Sequence, residues 1–293
     1  MTAVGHNPPL ISADLQALAV EHGLRKVGGR PPLKTYVQDL WKRRHFTIEM
    51  ARGMTDSSNE GHRLGQLWEV LTPLLWAGLY LFIFGVVVKT RAGTENFVGY
   101  LVTGLFIFRY VSGCMSLGAK CIRKSQGLIT SLQFPRALVP MAACTAEMIS
   151  LLPAILVMFV LALTSHEPIR WQMLLMAPAI VLMFIFTLGL AMTAARIVDA
   201  LPDLANMIPF ITRFMMYVSG VFFSISHFAG NGWLGHVLSY QPLAIYIELA
   251  RSALLEEVAV RPTTWLWAIG WTTLMFSFGF IFFWRAEARY GRG

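Results

Sequence analysis

Long apolar stretches separated by short polar and basic segments make up most of the chain after residue 63. Each stretch has about the 20 helical residues that are needed to cross roughly 30 Å of hydrocarbon. The pattern therefore predicts six transmembrane helices, which lie at about Leu67–Val88, Phe97–Ser116, Ala137–Thr164, Met173–Ala195, Ala205–Ser226 and Thr264–Trp284. The third stretch is long enough to tilt, or to break at Pro153.

The first 63 residues are more polar than the rest of the chain. Residues 1–32 lack the apolar core of a signal peptide, so we expect a cytoplasmic tail there. From Leu33 to about Arg52, apolar residues recur at helical spacing, which predicts an amphipathic helix in the membrane interface, followed by a connector to residue 63. Packing of this helix on a soluble partner is the alternative. Arg44 lies near the middle of the apolar side, so its guanidinium must reach lipid headgroups or another anion.

Composition narrows the class of protein. The chain is 56% hydrophobic and 14% charged, whereas a soluble domain has about 25% charged residues. These values exclude a soluble enzyme, a disordered chain and a secreted disulfide scaffold. The net charge of +8 is explained by basic cytoplasmic loops and anionic headgroups, so we expect membrane lipids and no nucleic acid as partners. Most of the 24 Lys and Arg residues fall on one side if both termini are cytoplasmic, as the positive-inside rule requires.

One longer external segment, residues 228–262, precedes the last apolar stretch. Its part from Leu243 to Val258 is helix-like and carries several charges, so we expect short helices on the outer surface or dipping partway into the membrane. The fold class predicted from the sequence is therefore an all-α integral membrane protein. It has an N-terminal amphipathic interfacial helix and six transmembrane helices, with short external helices before the last one.

Motifs for enzymatic chemistry are missing from the sequence. It contains no GxxxxGK[ST] phosphate loop, no HExxH-like histidine spacing and no CxxC pair. We therefore expect no catalytic residue, no metal site and no cofactor on this chain, and we expect the three cysteines to be small packing residues.

Four segments, in the same order, resemble ABC-2 type permeases of the polysaccharide-export branch, whose members handle O-antigen, capsule, teichoic acid or galactan. They are Leu40–Phe46, Leu64–Trp68 with Leu71–Leu75, Gly127–Ile129 with Phe134–Arg136 and Pro140, and Gln241–Leu243 with Glu248 and Arg251. Gln241 replaces the usual Asn, and Arg109 stands where an uncharged residue is usual. The tail at Val27–Pro31 and the segment Glu95–Phe97 most resemble actinobacterial galactan exporters.

The resemblance implies a six-span ABC-2 type transmembrane domain over residues 64–293, in a bacterial inner (plasma) membrane with both termini cytoplasmic. It implies a homodimer that binds two copies of a separate ATPase subunit, which would hold ATP and Mg. The function implied is ATP-driven export of a lipid-linked polysaccharide.

A basic cytoplasmic loop at about residues 118–136 is then expected to couple ATP hydrolysis to the third span, and a simple positive-inside anchor is the alternative. The residues expected to couple are Arg123, Lys124, Gln126, Leu128, Phe134, Pro135 and Arg136.

A lipid-linked glycan needs cations for its pyrophosphate and stacking surfaces for its sugars. Arg43, Arg44 and Arg52 are the candidates for the pyrophosphate, with headgroup anchoring as the alternative. The aromatic candidates for the glycan path, which serve equally as packing or interface residues, are Trp68, Trp76, Tyr80, Phe210, Phe214, Tyr217 and Phe222.

Three charged residues lie inside predicted spans at similar depth: Arg109, Glu147 and Arg213. An unpaired charge at mid-membrane costs about 2.5–3.5 kcal/mol on insertion scales. We therefore expect Glu147 to pair with one of the two arginines, and a proton relay is the alternative.

Three other functions compete with polysaccharide export. An ABC-2 exporter of a drug or smaller lipid would not need the basic interfacial helix. A membrane-embedded glycosyltransferase would need facing acids, whereas Glu256 and Glu257 are adjacent. An ATP-independent flippase often has internal repeats and several intramembrane ionisable groups, whereas this sequence shows no clear repeat and a single intramembrane acid, Glu147.

Overall fold

A computed structural model describes residues 31–59, 67–83, 96–165, 167–225 and 232–290. These residues form helices and connecting turns without any strand, which confirms the predicted all-α class. The helices are α1 Leu33–Lys42, α2 Arg44–Asn59, α3 Leu67–Leu81, α4 Phe97–Lys124, α5 Gln126–Ser131, α6 Leu138–Thr164, α7 Met176–Ala200, α8 Ile208–Val218, α9 Trp233–Ser239, α10 Pro242–Leu254 and α11 Pro262–Arg285. Short 3-10 helices, Trp171–Leu175 and Pro202–Asn206, precede α7 and α8. The tail to residue 30 and the connector at 60–66 lie outside the described residues.

Four helices are long and apolar enough to cross a membrane: α4, α6, α7 and α11. They confirm the second, third, fourth and sixth predicted spans. α4 continues to Lys124 instead of ending at Ser116, and α6 is one continuous helix with Pro153 in its interior. Of the two alternatives for this stretch, the break at Pro153 does not occur, because a membrane helix tolerates one missing backbone hydrogen bond when neighbouring helices support it.

The first and fifth predicted spans differ from this pattern. The described part of the first is α3, and its continuation beyond residue 83 lies outside the described residues. α8 has 11 residues, or about 16 Å at 1.5 Å per residue, which is shorter than the hydrocarbon layer. The chain turns after it at Gly220, whose φ of 72° favours glycine. The count of six spans therefore stays a prediction.

Small residues allow the long helices to approach closely. A Cβ on Gly279 of α11 would lie 2.7 Å from the carbonyl carbon of Gly189 on α7. A Cβ on Gly118 of α4 would similarly meet Ala191 of α7 at 2.6 Å. Close backbone contact of this kind is typical of helix packing in membranes.

The bundle has two ends. Tyr36, Ile122, Leu138 and Phe283 belong to one buried cluster, which defines the junction end. Tyr100 and Thr264, near the starts of α4 and α11, line a cavity that defines the cavity end. The two ends are about 29 Å apart along α11.

The amphipathic segment is two helices, α1 and α2, with a turn at Arg43, where a single helix was predicted. Its apolar residues also divide between two faces. Tyr36 and Leu40 are buried against the bundle, whereas Val37 is 48% and Trp41 71% exposed. One face therefore packs on the protein, and the other is free for a membrane surface or a partner.

α10 is buried against α4, α7 and α11. The helix runs from Pro242 to Leu254, and every residue after Pro242 except Glu248 is buried. A helix lying on the outer surface would expose one side, so the burial of α10 disfavours the surface alternative, and a helix dipping partway into the membrane stays a prediction.

Candidate coupling and transport site

The short helix α5 occupies the loop that was expected to couple to an ATPase. α4 ends at Lys124, Ser125 breaks the helical path, and α5 follows at once. Ile129 is buried in the cluster at the junction end and fixes α5 to the bundle. The side chains of Arg123, Lys124 and Gln126 are exposed, and Leu128 is half-buried. Of the seven expected coupling residues, two lie on α5, two end α4 and three follow α5.

The chain after α5 is tied to the bundle at two points. The ring of Phe134 packs against Phe46 of α2, with 5.4 Å between ring centroids. Arg136 donates its backbone N–H to Glu287 Oε1 at 2.8 Å, and its Nη1 donates to the Glu287 carbonyl at 2.6 Å. Pro135, half-buried, stands between them. The segment from α5 to α6 is therefore linked both to the N-terminal helices and to the chain that follows α11.

Tyr36 completes this junction. Its hydroxyl donates to Glu287 Oε2 at 2.7 Å and accepts from the backbone N–H of Ala137 at 3.1 Å. Trp284 Nε1 also donates to the Pro31 carbonyl at 3.1 Å. One carboxylate thus joins α1, the start of α6 and the C-terminal turn.

The junction is almost dry, since Glu287 is only 3% exposed. Burial raises the pKa of the Glu287 carboxyl above its usual value, and hydrogen bonds from Arg136 and Tyr36 oppose that shift. Burial and the nearby carboxylate raise the pKa of Tyr36, so its hydroxyl remains a donor. Sequence reasoning missed Tyr36 and Glu287. The sequence signal that could have revealed Glu287 is an acid among basic residues directly after the last predicted span.

The three expected pyrophosphate ligands differ in their surroundings. Arg43 lies at the turn between α1 and α2 and is exposed. Arg44 Nη1 donates to the Trp41 carbonyl at 3.2 Å, and its guanidinium lies 5.3 Å from the Trp41 ring centroid. Arg52 instead forms an exposed ion pair with Glu49 at 2.8 Å. Arg43 and Arg44 are therefore together and accessible, whereas Arg52 lies two turns further along α2 and already has a carboxylate partner.

Four of the aromatic candidates form a continuous row between α3 and the end of α8. Ring centroids are 5.8 Å apart for Trp76 and Tyr80, 5.3 Å for Tyr80 and Phe222, and 5.9 Å for Phe222 and Tyr217. Phe222 is buried at the centre, while Tyr217 is 57% exposed. The row joins residues from the first and fifth predicted spans.

The other three aromatic candidates extend from this row. Phe210 and Phe214 precede Tyr217 at helical spacing on α8 and are 71% and 61% exposed. Trp68 lies two turns before Trp76 on α3 and is half-buried.

Within the described part of one chain, Glu147 forms no direct ion pair with Arg109 or Arg213, although Arg109 is near enough to attract its carboxylate. No nitrogen of Arg109 or Arg213 lies within 4.0 Å of a Glu147 oxygen, and both arginine side chains are exposed. The Glu147 carboxylate packs instead against Gly113 of α4, one turn beyond Arg109. Similar depth in the membrane did not fix the direction in which each side chain leaves its helix.

Arg251 of α10 is the buried cation of the cavity end. It is 5% exposed and donates to the carbonyls of Tyr100 at 3.1 Å, Gly220 at 2.9 Å and Val221 at 2.8 Å. Its guanidinium also lies 3.3 Å from the centroid of the Tyr100 ring. Gln241 donates to the Val218 carbonyl at 2.7 Å. The segment with Arg251 and Gln241 therefore fixes the turn after α8, directly beside Phe222.

Comparison with known proteins identifies the family of this chain. The ABC-2 type transporter family matches residues 58–255. An O-antigen export system permease protein RfbA from Myxococcus xanthus is 23% identical over 242 residues, which are 79% of this chain and 92% of that protein. An O-antigen export system permease protein RfbA from Klebsiella pneumoniae is 27% identical over 189 residues, which are 63% of this chain and 70% of that protein. The family match covers α3 to α10 and so includes α5, the aromatic row and Arg251. The chain belongs to the ABC-2 type transporter family, as a multi-pass membrane subunit.

Proposed function

We propose that this chain is the transmembrane subunit of an ATP-driven exporter that moves a lipid-linked polysaccharide across a bacterial inner membrane. The observation that carries the proposal is the similarity to an O-antigen export permease over 92% of that protein's length. O-antigen, galactan and teichoic acid type glycans are the substrates to test. Both termini are cytoplasmic in this proposal, with the junction end on the cytoplasmic side.

ATP hydrolysis takes place on a separate subunit that holds ATP and Mg, and two copies of it bind two copies of this chain. The ATPase docks at the exposed residues around α5, where Arg123, Lys124 and Gln126 are accessible. A movement of α5 reaches α2 through the contact of Phe134 with Phe46 and reaches α11 through Arg136 and Glu287. These contacts support a coupling role beyond that of a positive-inside anchor.

The substrate meets two surfaces in this proposal. Its pyrophosphate binds at Arg43 and Arg44, because guanidinium forks pair well with phosphate oxygens and both groups are accessible. Its sugars pass along the aromatic row, where Tyr217, Phe214 and Phe210 offer exposed ring faces. The exposed side of α8 faces the second copy of the chain across the path.

The exporter proposal is tested by co-purifying the chain with its ATPase and measuring ATP hydrolysis in nanodiscs. We expect a complex of two permease and two ATPase copies, whose hydrolysis rises when a lipid-linked glycan is added. Phe134→Ala should reduce this stimulation, whereas Phe134→Leu, which keeps most of the apolar contact with Phe46, should retain more of it. Stimulation by a drug-like amphiphile and not by any lipid-linked glycan would replace the proposal with export of a smaller substrate.

The capture proposal is tested with two neighbouring exposed cations. Arg44→Ala should raise the glycan concentration needed for half-maximal stimulation by about tenfold, the effect of losing one charge-assisted hydrogen-bonded contact. Lys42→Ala, which removes a charge from the end of α1, is the matched control and should change it little. Equal effects of the two variants would reduce Arg44 to a headgroup anchor.

A further inference from the structure

A polar cavity of about 390 Å³ lies at the cavity end, between α9, α10, the turn after α8 and the starts of α4 and α11. Its size falls within the range of small-molecule sites in proteins. It is separate from the arginines of α1 and α2, since Thr264 on its wall and Phe283 at the junction are about 29 Å apart along α11. Neither the coupling contacts nor the pyrophosphate proposal uses this cavity.

Two oppositely charged side chains, Glu248 and Arg261, line the cavity and attract each other without a direct contact. Within the described residues, the side chains of Glu248 and Arg261 form no hydrogen bond and no ion pair within 4.0 Å. Arg251 also lines the cavity, but its guanidinium is already bound to three carbonyls. A carboxylate that accepts several hydrogen bonds and a guanidinium that donates several therefore line the same partly open cavity.

The charges select a class of ligand. Glu248 and Glu257 contribute two carboxylates to the lining, and Arg251 and Arg261 contribute two guanidiniums, so the formal charges balance and no net charge favours an anion such as phosphate. No group of three metal-ligating side chains occurs among the described residues, which leaves a bound metal ion without a ligand set. A neutral ligand with neighbouring hydroxyls suits both groups, because it donates to the carboxylate and accepts from the guanidinium.

An aromatic wall completes the cavity. The Tyr240 ring stacks on His236, with centroids 6.3 Å apart and planes inclined by 4°. It also packs on Trp267 at 5.2 Å, and Trp271 Nε1 donates to the Tyr240 carbonyl at 2.9 Å. Tyr240 and His236 therefore place aromatic carbon and hydrogen-bonding groups side by side in the lining, which suits the carbon face and hydroxyls of a sugar ring.

We infer that this cavity binds a single sugar unit of the exported chain at the end of the bundle opposite the coupling helix. That the sugar belongs to an exported glycan rests on the proposed function. The chemistry of the cavity by itself favours a neutral polyol. Because α10 and Arg251 fix the walls, little ordering is needed for binding. A sugar bound in this cavity between two rounds of ATP hydrolysis keeps the exported chain from moving back toward the cytoplasm.

The experiment measures saturation-transfer difference NMR on the full-length permease in nanodiscs with methyl glycosides of galactose, glucose, mannose, rhamnose and N-acetylglucosamine. We expect at least one glycoside to bind. Glu248→Gln should weaken its binding by about tenfold, because the loss of a charged acceptor costs about 1.4 kcal/mol. The matched control is Glu256→Gln, an exposed residue outside the cavity lining, which should leave binding unchanged.

Three results would overturn the inference: no saturation transfer from any glycoside, equal weakening by Glu248→Gln and Glu256→Gln, or displacement of the glycoside by inorganic phosphate. Failure of the proposed function gives a different result. In that case the permease–ATPase complex shows no stimulation by lipid-linked glycans, while the Glu248-dependent binding of a methyl glycoside persists.

Discussion

The two ends of the bundle use the same kinds of charged residue in opposite ways. At the junction end, Glu287 accepts hydrogen bonds from Tyr36 and from the backbone of Arg136, and the Arg136 guanidinium is bound in turn. At the cavity end, Glu248 and Arg261 line the same cavity and attract each other without a direct ion pair. One end has satisfied its polar groups within the protein, and the other keeps hydrogen-bonding capacity for a ligand.

This difference separates charges that hold elements together from charges that are available to a substrate. A buried carboxylate with several protein donors fixes the elements that carry those donors. A half-buried carboxylate without them contributes little to the fold, because its hydrogen bonds are made to water or to a ligand. Mutations at the two ends should therefore change stability by very different amounts.

The largest loss of stability is expected for Glu287→Ala. This change leaves the Tyr36 hydroxyl and the Arg136 backbone N–H as buried donors without an acceptor, at about 1–3 kcal/mol for each unsatisfied group. We expect a loss of about 3 kcal/mol, measured by thermal unfolding in detergent. Glu256→Ala, at an exposed position, is the control, and equal melting temperatures for the two variants would show that the junction does not stabilise the fold.

The next largest effect is expected for Arg251→Met, which tests the hydrogen bonds that fix the turn after α8 at the cavity end. Three carbonyls lose their donor, so a loss of about 2–3 kcal/mol is expected in the same unfolding measurement. Arg261→Met removes a guanidinium that forms no ion pair within 4.0 Å among the described residues, only a longer-range attraction to Glu248, and should change stability little. If both variants melted like the wild type, Arg251 would not fix the turn after α8.

The contrast between the two ends also shows what the sequence predicts well. The four long helices were predicted because hydropathy reports the solvent around a segment, and that signal is strong over about 20 residues. Basic residues and Pro135 predicted a cytoplasmic element at about residues 118–136, but they did not predict the helix α5 or the extension of α4 to Lys124. The family followed from four short motifs in order, and the match over residues 58–255 confirms it.

Contacts between distant residues could not be predicted in this way. Tyr36 and Glu287 are 251 positions apart, and neither lies in a motif that distinguishes it from its neighbours. Depth along the helices suggested a pair for Glu147, but the rotation of each helix about its axis decides which side chains meet. Phe222 joins the aromatic row because the chain turns at Gly220, a local conformation that hydropathy does not reveal.

A moderate effect is expected for Tyr36→Phe. The change removes one hydroxyl that both donates to Glu287 and accepts from Ala137, while the ring and its packing remain. We expect a loss of about 1–2 kcal/mol in thermal unfolding. Tyr217→Phe is the matched control because Tyr217 is 57% exposed, and it should melt like the wild type. A Tyr36→Phe protein as stable as this control would mean that water replaces the hydroxyl at no cost.

The smallest effect is expected for Glu248→Gln. Its carboxylate has no hydrogen bond or ion pair within the described chain, so the change removes no internal contact and keeps the shape of the side chain. Burial also raises the free energy of a charged group, so removing the charge offsets any weak attraction to the arginines. We expect an unfolding free energy within about 0.5 kcal/mol of the wild type. A loss as large as that of Glu287→Ala would show that Glu248 belongs to a locked network, and the cavity would then be part of the scaffold instead of a site for a sugar.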